Sequence, residues 1–204
     1  MKFLMGVVIS VIVILSGWFV PAIAANVPKG DQSFTEYEAY LHPAQEADPE
    51  LNVQSYAYGK LRFPSNLSAG KFDFQVTGVD AENVTAFHIH CGTPGVLGPI
   101  IVDFSQFGDL KQTLKSGQLS GTIANKGLTF VKQLPIPPKP GSGKLTLPLP
   151  EGCPSDINFP VQQVQTIAGL EALARKGALY FNLHTKGHEF YGELRGQIYP
   201  AKTR

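Results

Sequence analysis

Alternation of apolar and polar positions dominates the middle of the chain. From Ser55 onward, Ala57, Gly59, Leu61 and Phe63 alternate with Tyr56, Tyr58, Lys60 and Arg62. After the turn-rich stretch Pro64 to Gly70, the alternation resumes at Phe72, Phe74 and Val76. Successive side chains of a strand point to opposite faces, so this pattern predicts two strands that each bury one face. Further strands are predicted over Val84 to His90, Pro99 to Phe104 and Gln118 to Ala124, each bounded by Gly, Pro or Asn. Ala178 to His184 and Phe190 to Tyr199 flank a turn holding Lys186 and Gly187, which reads as a hairpin.

Two segments carry helical spacing instead. Thr166 opens a run with Ile167, Leu170, Leu173 and Ala174 on one stripe, Arg175 and Lys176 in the last turn and Gly177 just beyond, which predicts one amphipathic helix with suitable ends. Ser33-Phe34-Thr35-Glu36 forms a capping-box pattern ahead of Phe34, Tyr37 and Leu41. Residues 25–54 therefore read as an N-terminal arm, either a short helix ended by Pro43 or an irregular lead-in. Between Pro135 and Pro160 lie half of the chain's 16 prolines, a density that excludes a long helix or a central strand. That insert, 135–160, is expected to be a long loop carrying at most a short edge strand at Lys144 to Leu147. The resulting fold class is all-β, an immunoglobulin-like or Greek-key β-sandwich or small barrel with one short helix in its C-terminal half, spanning residues 55–200.

The first residues change the compartment in which this fold is read. After Met1-Lys2 no charged side chain appears until Lys29, Gly6 to Val20 is almost wholly apolar, and Pro21 precedes Ala22-Ile23-Ala24. These are the features of a signal peptide over residues 1–24, with cleavage expected after Ala24; the alternative is an uncleaved anchor, since Phe3 to Ile23 is long enough to span a bilayer. The expected location is extracytoplasmic: secreted, periplasmic or in the cell envelope. In an oxidising compartment Cys91 and Cys153 are expected to pair as a disulfide rather than remain two buried thiols. Such a bridge would stabilise the fold by about 4 kcal/mol through loop closure. Removing residues 1–24 takes away Lys2 and no acid, which leaves 16 basic against 16 acidic side chains. With no basic surplus and no Lys/Arg run, a nucleic-acid partner is excluded, and a membrane is reached only through an uncleaved N-terminal segment.

The densest polar constellation is Phe87-His88-Ile89-His90. Period two places both imidazoles on one strand face and Phe87, Ile89 and Cys91 on the other, so the apolar trio faces the core and the histidines face outward. In Tyr180-Phe181-Asn182-Leu183-His184, the same parity sets His184 and Asn182 opposite Phe181 and Leu183. A sandwich that brings His184 beside His88 and His90 creates a surface three-imidazole site of the kind that holds copper or zinc ions. His188, in the hairpin turn, or Glu193 is the candidate fourth ligand; as alternatives, His188 is a solvated turn residue and Glu193 pairs with Arg195 on an exposed strand face. His42 has no evident partner. Gly92 to Pro99 lacks the Lys-Ser/Thr of a phosphate loop and is read as a tight turn that leaves the imidazoles near an accessible rim. No G-x-S-x-G, H-E-x-x-H or Cys/His nucleophile is present, so no catalytic residue is assigned. Asn66-Leu67-Ser68 and Asn83-Val84-Thr85 are glycosylation sequons of consequence only in a eukaryotic secretory pathway.

Three stretches together resemble the CHRD domain: Phe87 to Ile100, Gly177 to Thr185 and Gly192 to Ile198. That domain is named for chordin, an extracellular binder of bone morphogenetic proteins, and also occurs in bacterial secreted proteins. The resemblance covers about Ser55 to Tyr199 and implies an all-β extracytoplasmic domain without implying an agreed activity. The His-x-His strand with a distant third histidine also looks like the copper half of Cu/Zn superoxide dismutases, by architecture only. Three readings follow. The first is an exported binding domain, not an enzyme, whose histidines hold Cu or Zn. The second is a metal-free interaction module for extracellular or envelope proteins. The third is a mononuclear copper redox enzyme.

Overall fold

A computed structural model describes residues 33–48, 51–128, 153 and 166–202. The segment 1–24 expected to be a signal peptide, most of the Pro-rich insert and the edge strand expected at Lys144 to Leu147 lie outside these residues. The described strands are β1 (Phe34–Leu41), β2 (Tyr56–Pro64), β3 (Gly70–Thr77), β4 (Val84–Cys91), β5 (Ile100–Asp103), β6 (Gln118–Ile123), β7 (Leu179–Thr185), β8 (Leu194–Gln197) and β9 (Tyr199–Pro200). They form two antiparallel sheets with strand orders β6-β3-β2-β1-β9 and β5-β4-β7-β8. Neither sheet closes on itself, so the fold is a β-sandwich and not a barrel.

Alternation explains most of the layering. In β2, Ala57, Gly59, Leu61 and Phe63 are buried, as are Phe72 and Phe74 of β3, while Lys71, Asp73 and Gln75 are exposed. From the facing sheet come Phe87 and Ile89 of β4 and Phe181 and Leu183 of β7, all fully buried. Phe74 meets Phe87 at 4.6 Å, Phe181 at 4.7 Å and Phe104 at 5.2 Å between ring centroids, so one aromatic cluster joins the two layers. Gly59 is part of that fit, because a Cβ there would approach Phe74 to 2.5 Å.

The N-terminal arm is corrected by the structure. Phe34–Leu41 is neither helix nor lead-in but a strand paired with β2 along its whole length, from Phe34 opposite Pro64 to Leu41 opposite Ala57. Tyr37, Ala39 and Leu41 point into the core between more exposed Glu38 and Tyr40. An isolated capping box stabilises a helix by about 1 kcal/mol, whereas a partner strand and a buried face act on every second residue. After β1, His42 N–H donates to the Arg195 carbonyl at 2.9 Å and His42 Nδ1 accepts from Ala44 N–H at 3.1 Å, which caps a 3-10 turn at Pro43–Gln45.

Among the described residues two α-helices punctuate the sandwich. α1 (Leu110–Leu114), not foreseen in the sequence, is capped by Asp109, whose carboxylate accepts from Lys111 N–H and Gln112 N–H. α2 (Ile167–Arg175) begins at Thr166, whose hydroxyl accepts from Gly169 N–H, as its end signals predict. Tyr37 OH donates to Glu171 Oε1 at 2.6 Å and fastens α2 to β1. The C-terminal strand expected from Phe190 to Tyr199 is shorter: Phe190 and Tyr191 lie in the turn, and the chain changes sheets at Ile198 between β8 and β9. Cys91 and Cys153 form a disulfide with Cα atoms 5.7 Å apart.

Candidate metal centre

Pairing of β4 with β7 builds the site. His88 sits opposite Asn182, His90 opposite Tyr180 and Ala86 opposite His184, so His184 is the diagonal neighbour of His88 on one sheet face. Ring centroids are 5.3 Å apart for His88 and His90, 5.2 Å for His88 and His184, and 6.0 Å for His90 and His184. One ring nitrogen from each can be chosen so that all three lie within 4.8 Å of one another. Among the described residues this converging group contains neither His188 nor Glu193. Glu193 accepts from Ser55 Oγ at 2.5 Å and from Thr185 Oγ1 at 2.6 Å, and makes no ion pair with Arg195. His188 stays in the hairpin turn, where its N–H donates to the Thr185 carbonyl.

The face that carries the histidines is not the accessible rim expected from the sequence. His90 is 8 % exposed and His184 5 %. Two segments cover it. The loop after β4 folds back, with Gly92 N–H donating to the Ala178 carbonyl and Cys91 N–H to the Pro99 carbonyl. From the other side, Glu46 Oε1 accepts from Asn182 Nδ2 at 2.6 Å, and Gln45 Oε1 accepts from Gln197 N–H at 3.2 Å. Arg195 lies within this polar layer, 1 % exposed, and not on an outer strand face.

Tautomers follow from partners. His90 Nδ1 is 2.8 Å from the Gly98 carbonyl, which can only accept, so Nδ1 carries the proton and Nε2 offers its lone pair. That Nε2 is buried and has no partner. His88 Nε2 lies 4.0 Å from Asp103 Oδ1, while its Nδ1 is buried and unpartnered. Neither ring nitrogen of His184 makes a hydrogen bond of good geometry, although the His188 and Glu189 backbone lies close enough to act on the ring. Buried polar atoms without partners are rare and each asks for a reason. A cation would satisfy one lone pair on each ring, with the Gly98 carbonyl as the outer group that orients a metal-bound His90. Burial holds all three imidazoles neutral, as ligands must be: it lowers His88, lowers His90 far below the ordinary value, and lowers His184 to about 4, the last also through the charge of His88.

Sequence reading missed the layer behind His90. Tyr180 stacks on His90 with centroids 5.0 Å apart and planes at 11°, and the Arg195 guanidinium lies 3.6 Å from the Tyr180 ring. Arg195 Nη2 donates to the Thr93 and Val96 carbonyls, and Tyr180 OH accepts from Gly98 N–H, so both residues brace the loop that orients His90. The available signal was parity: Tyr180, Asn182 and His184 share a face, and Arg195 pairs with Asn182.

The fold and site define an antiparallel β-sandwich with a disulfide and a covered cluster of imidazoles. The family model described as CHRD domain matches residues 37–198, and the chain belongs to that family. The match begins within β1, in accord with that strand's place in the sheet. No curated protein and no solved structure matches the chain. Family membership points to an extracellular binding module, and the disulfide fits an extracytoplasmic location. Among the described residues no helix is long and apolar enough to cross a membrane.

Proposed function

We propose that the protein is an extracytoplasmic binding module that holds a copper or zinc ion on His88, His90 and His184. The observation that carries this reading is the convergence of three buried imidazoles, one ring nitrogen from each lying within 4.8 Å of the others, on rings that carry buried nitrogens without a hydrogen-bond partner. Their neutrality and the hydrogen bond that orients His90 toward the Gly98 carbonyl support it. The donor set suits ions that favour imidazole over carboxylate oxygen.

The test is metal content and affinity of the purified protein, offered Cu(II) and Zn(II), beside a triple His88/His90/His184→Ala variant. One equivalent of metal on the wild type alone is expected, with a rise of about 3 kcal/mol in stability at a hundredfold excess over Kd. Equal, weak binding by both proteins rejects the metal. It would leave the second reading, an interaction module for extracellular or envelope proteins, which the family assignment favours.

A further inference from the structure

We infer that the ion for which this centre is built is monovalent copper, Cu(I). The inference rests on the three-histidine reading above and narrows it by charge and coordination number.

All three donors are neutral imidazoles, and no carboxylate oxygen joins the converging group among the described residues. Zn(II) on three histidines completes a tetrahedron with water or hydroxide. A closed-shell monocation such as Cu(I) is content with three nitrogen donors in a plane and needs no fourth group. The enclosure of His90 and His184 favours the ion with fewer ligands and less charge.

The surroundings already hold a cation. Arg195 keeps its charge at any physiological pH. Its hydrogen-bond partners are the Thr93 and Val96 carbonyls, and Nη1 is buried with no partner. Among the described residues no carboxylate lies within ion-pair distance of its guanidinium. Only Tyr180 separates this charge from the His90 ring. Of the nearby carboxyls, Glu46 attracts Arg195 but is raised by burial to about 8 and so is mostly protonated at neutral pH, Asp103 stands outside His88 with its side chain 42 % exposed, and Glu189 acts on His184 from an exposed position. Every additional positive charge on the metal is repelled by Arg195 with little compensation. A dication is therefore penalised about twice as strongly as a monocation, by a factor of roughly 10 to 30 in affinity at an effective dielectric near 20.

Anaerobic competition titrations of the purified protein decide it, with Cu(I) against a cuprous chelator such as bicinchoninate and with Cu(II) and Zn(II) against chromophoric chelators for each. Cu(I) is expected to bind at least about tenfold tighter than either dication. Arg195→Gln removes the charge and is expected to raise Zn(II) affinity relative to Cu(I) by about tenfold, while Arg195→Lys keeps the ratio within about threefold of wild type. Zn(II) or Cu(II) binding as tightly as Cu(I) overturns the inference and leaves the three-histidine site standing. No ion held better by the wild type than by the triple alanine variant overturns both. The wild-type ratio decides even where Arg195→Gln fails to fold.

Discussion

A histidine that folds into a dry neighbourhood makes stability depend on acid. His184 is buried beside His88 and takes up a proton only near pH 4 in the folded protein, against 6.5 ordinarily. As pH falls from about 6.5 toward 4, the unfolded chain binds a proton that the folded chain refuses, so stability is full above that window and is lost through it. The loss amounts to about 3 kcal/mol for this group. Urea melts of the metal-free protein at pH 7, 5.5 and 4 should show this slope, and His184→Asn should make it shallower, with buried His88 and His90 supplying the remainder. An unchanged slope in the variant would mean that other groups carry the acid sensitivity. The parity of His88, His90 and His184 was legible in the sequence because strand periodicity is local. The burial of Arg195 was not, because it depends on two loops that close from different parts of the chain.

Elements differed in legibility for a related reason. β2, β3, β4 and β7 announce themselves by alternation, and α2 by its end residues, because each signal is contained in its own segment. β1 was obscured because Ser33 to Glu36 has a helix-start pattern, and only the neighbouring β2 and β9 decide the matter. The hairpin between β7 and β8 carries a further constraint at Gly192, whose φ is +104°. A Cβ there would lie 2.2 Å from Asn182 Nδ2 and 2.8 Å from Glu46 Oε1. Gly192→Ala must therefore disturb the Asn182–Glu46 contact that holds the covering segment, besides straining the backbone. The expected cost is about 1–3 kcal/mol, read as a lower denaturation midpoint. A variant as stable as wild type would show that the Glu46 segment does not need this contact.

At the scale of the whole molecule, the disulfide and the histidine cluster occupy opposite sides of the same strand. Cys91 faces the core and bonds Cys153, while His90, one residue earlier, faces the covered polar layer. The bridge spans a sequence separation of 62 residues, so in the chain-entropy account it acts mainly by restricting the unfolded ensemble. Stability and metal affinity should then separate. Paired replacement of Cys91 and Cys153 by Ala is expected to destabilise the fold by about 4 kcal/mol, a fall in Tm of about 10 °C for a domain of this size. Metal affinity at 25 °C should stay within about threefold of wild type, because pairing of β4 with β7 and the Gly98 contact position the imidazoles without the bridge. If affinity collapses together with Tm, the bridge positions β4 in the folded state as well, and the site's geometry is owed to the clamp rather than to the sheet.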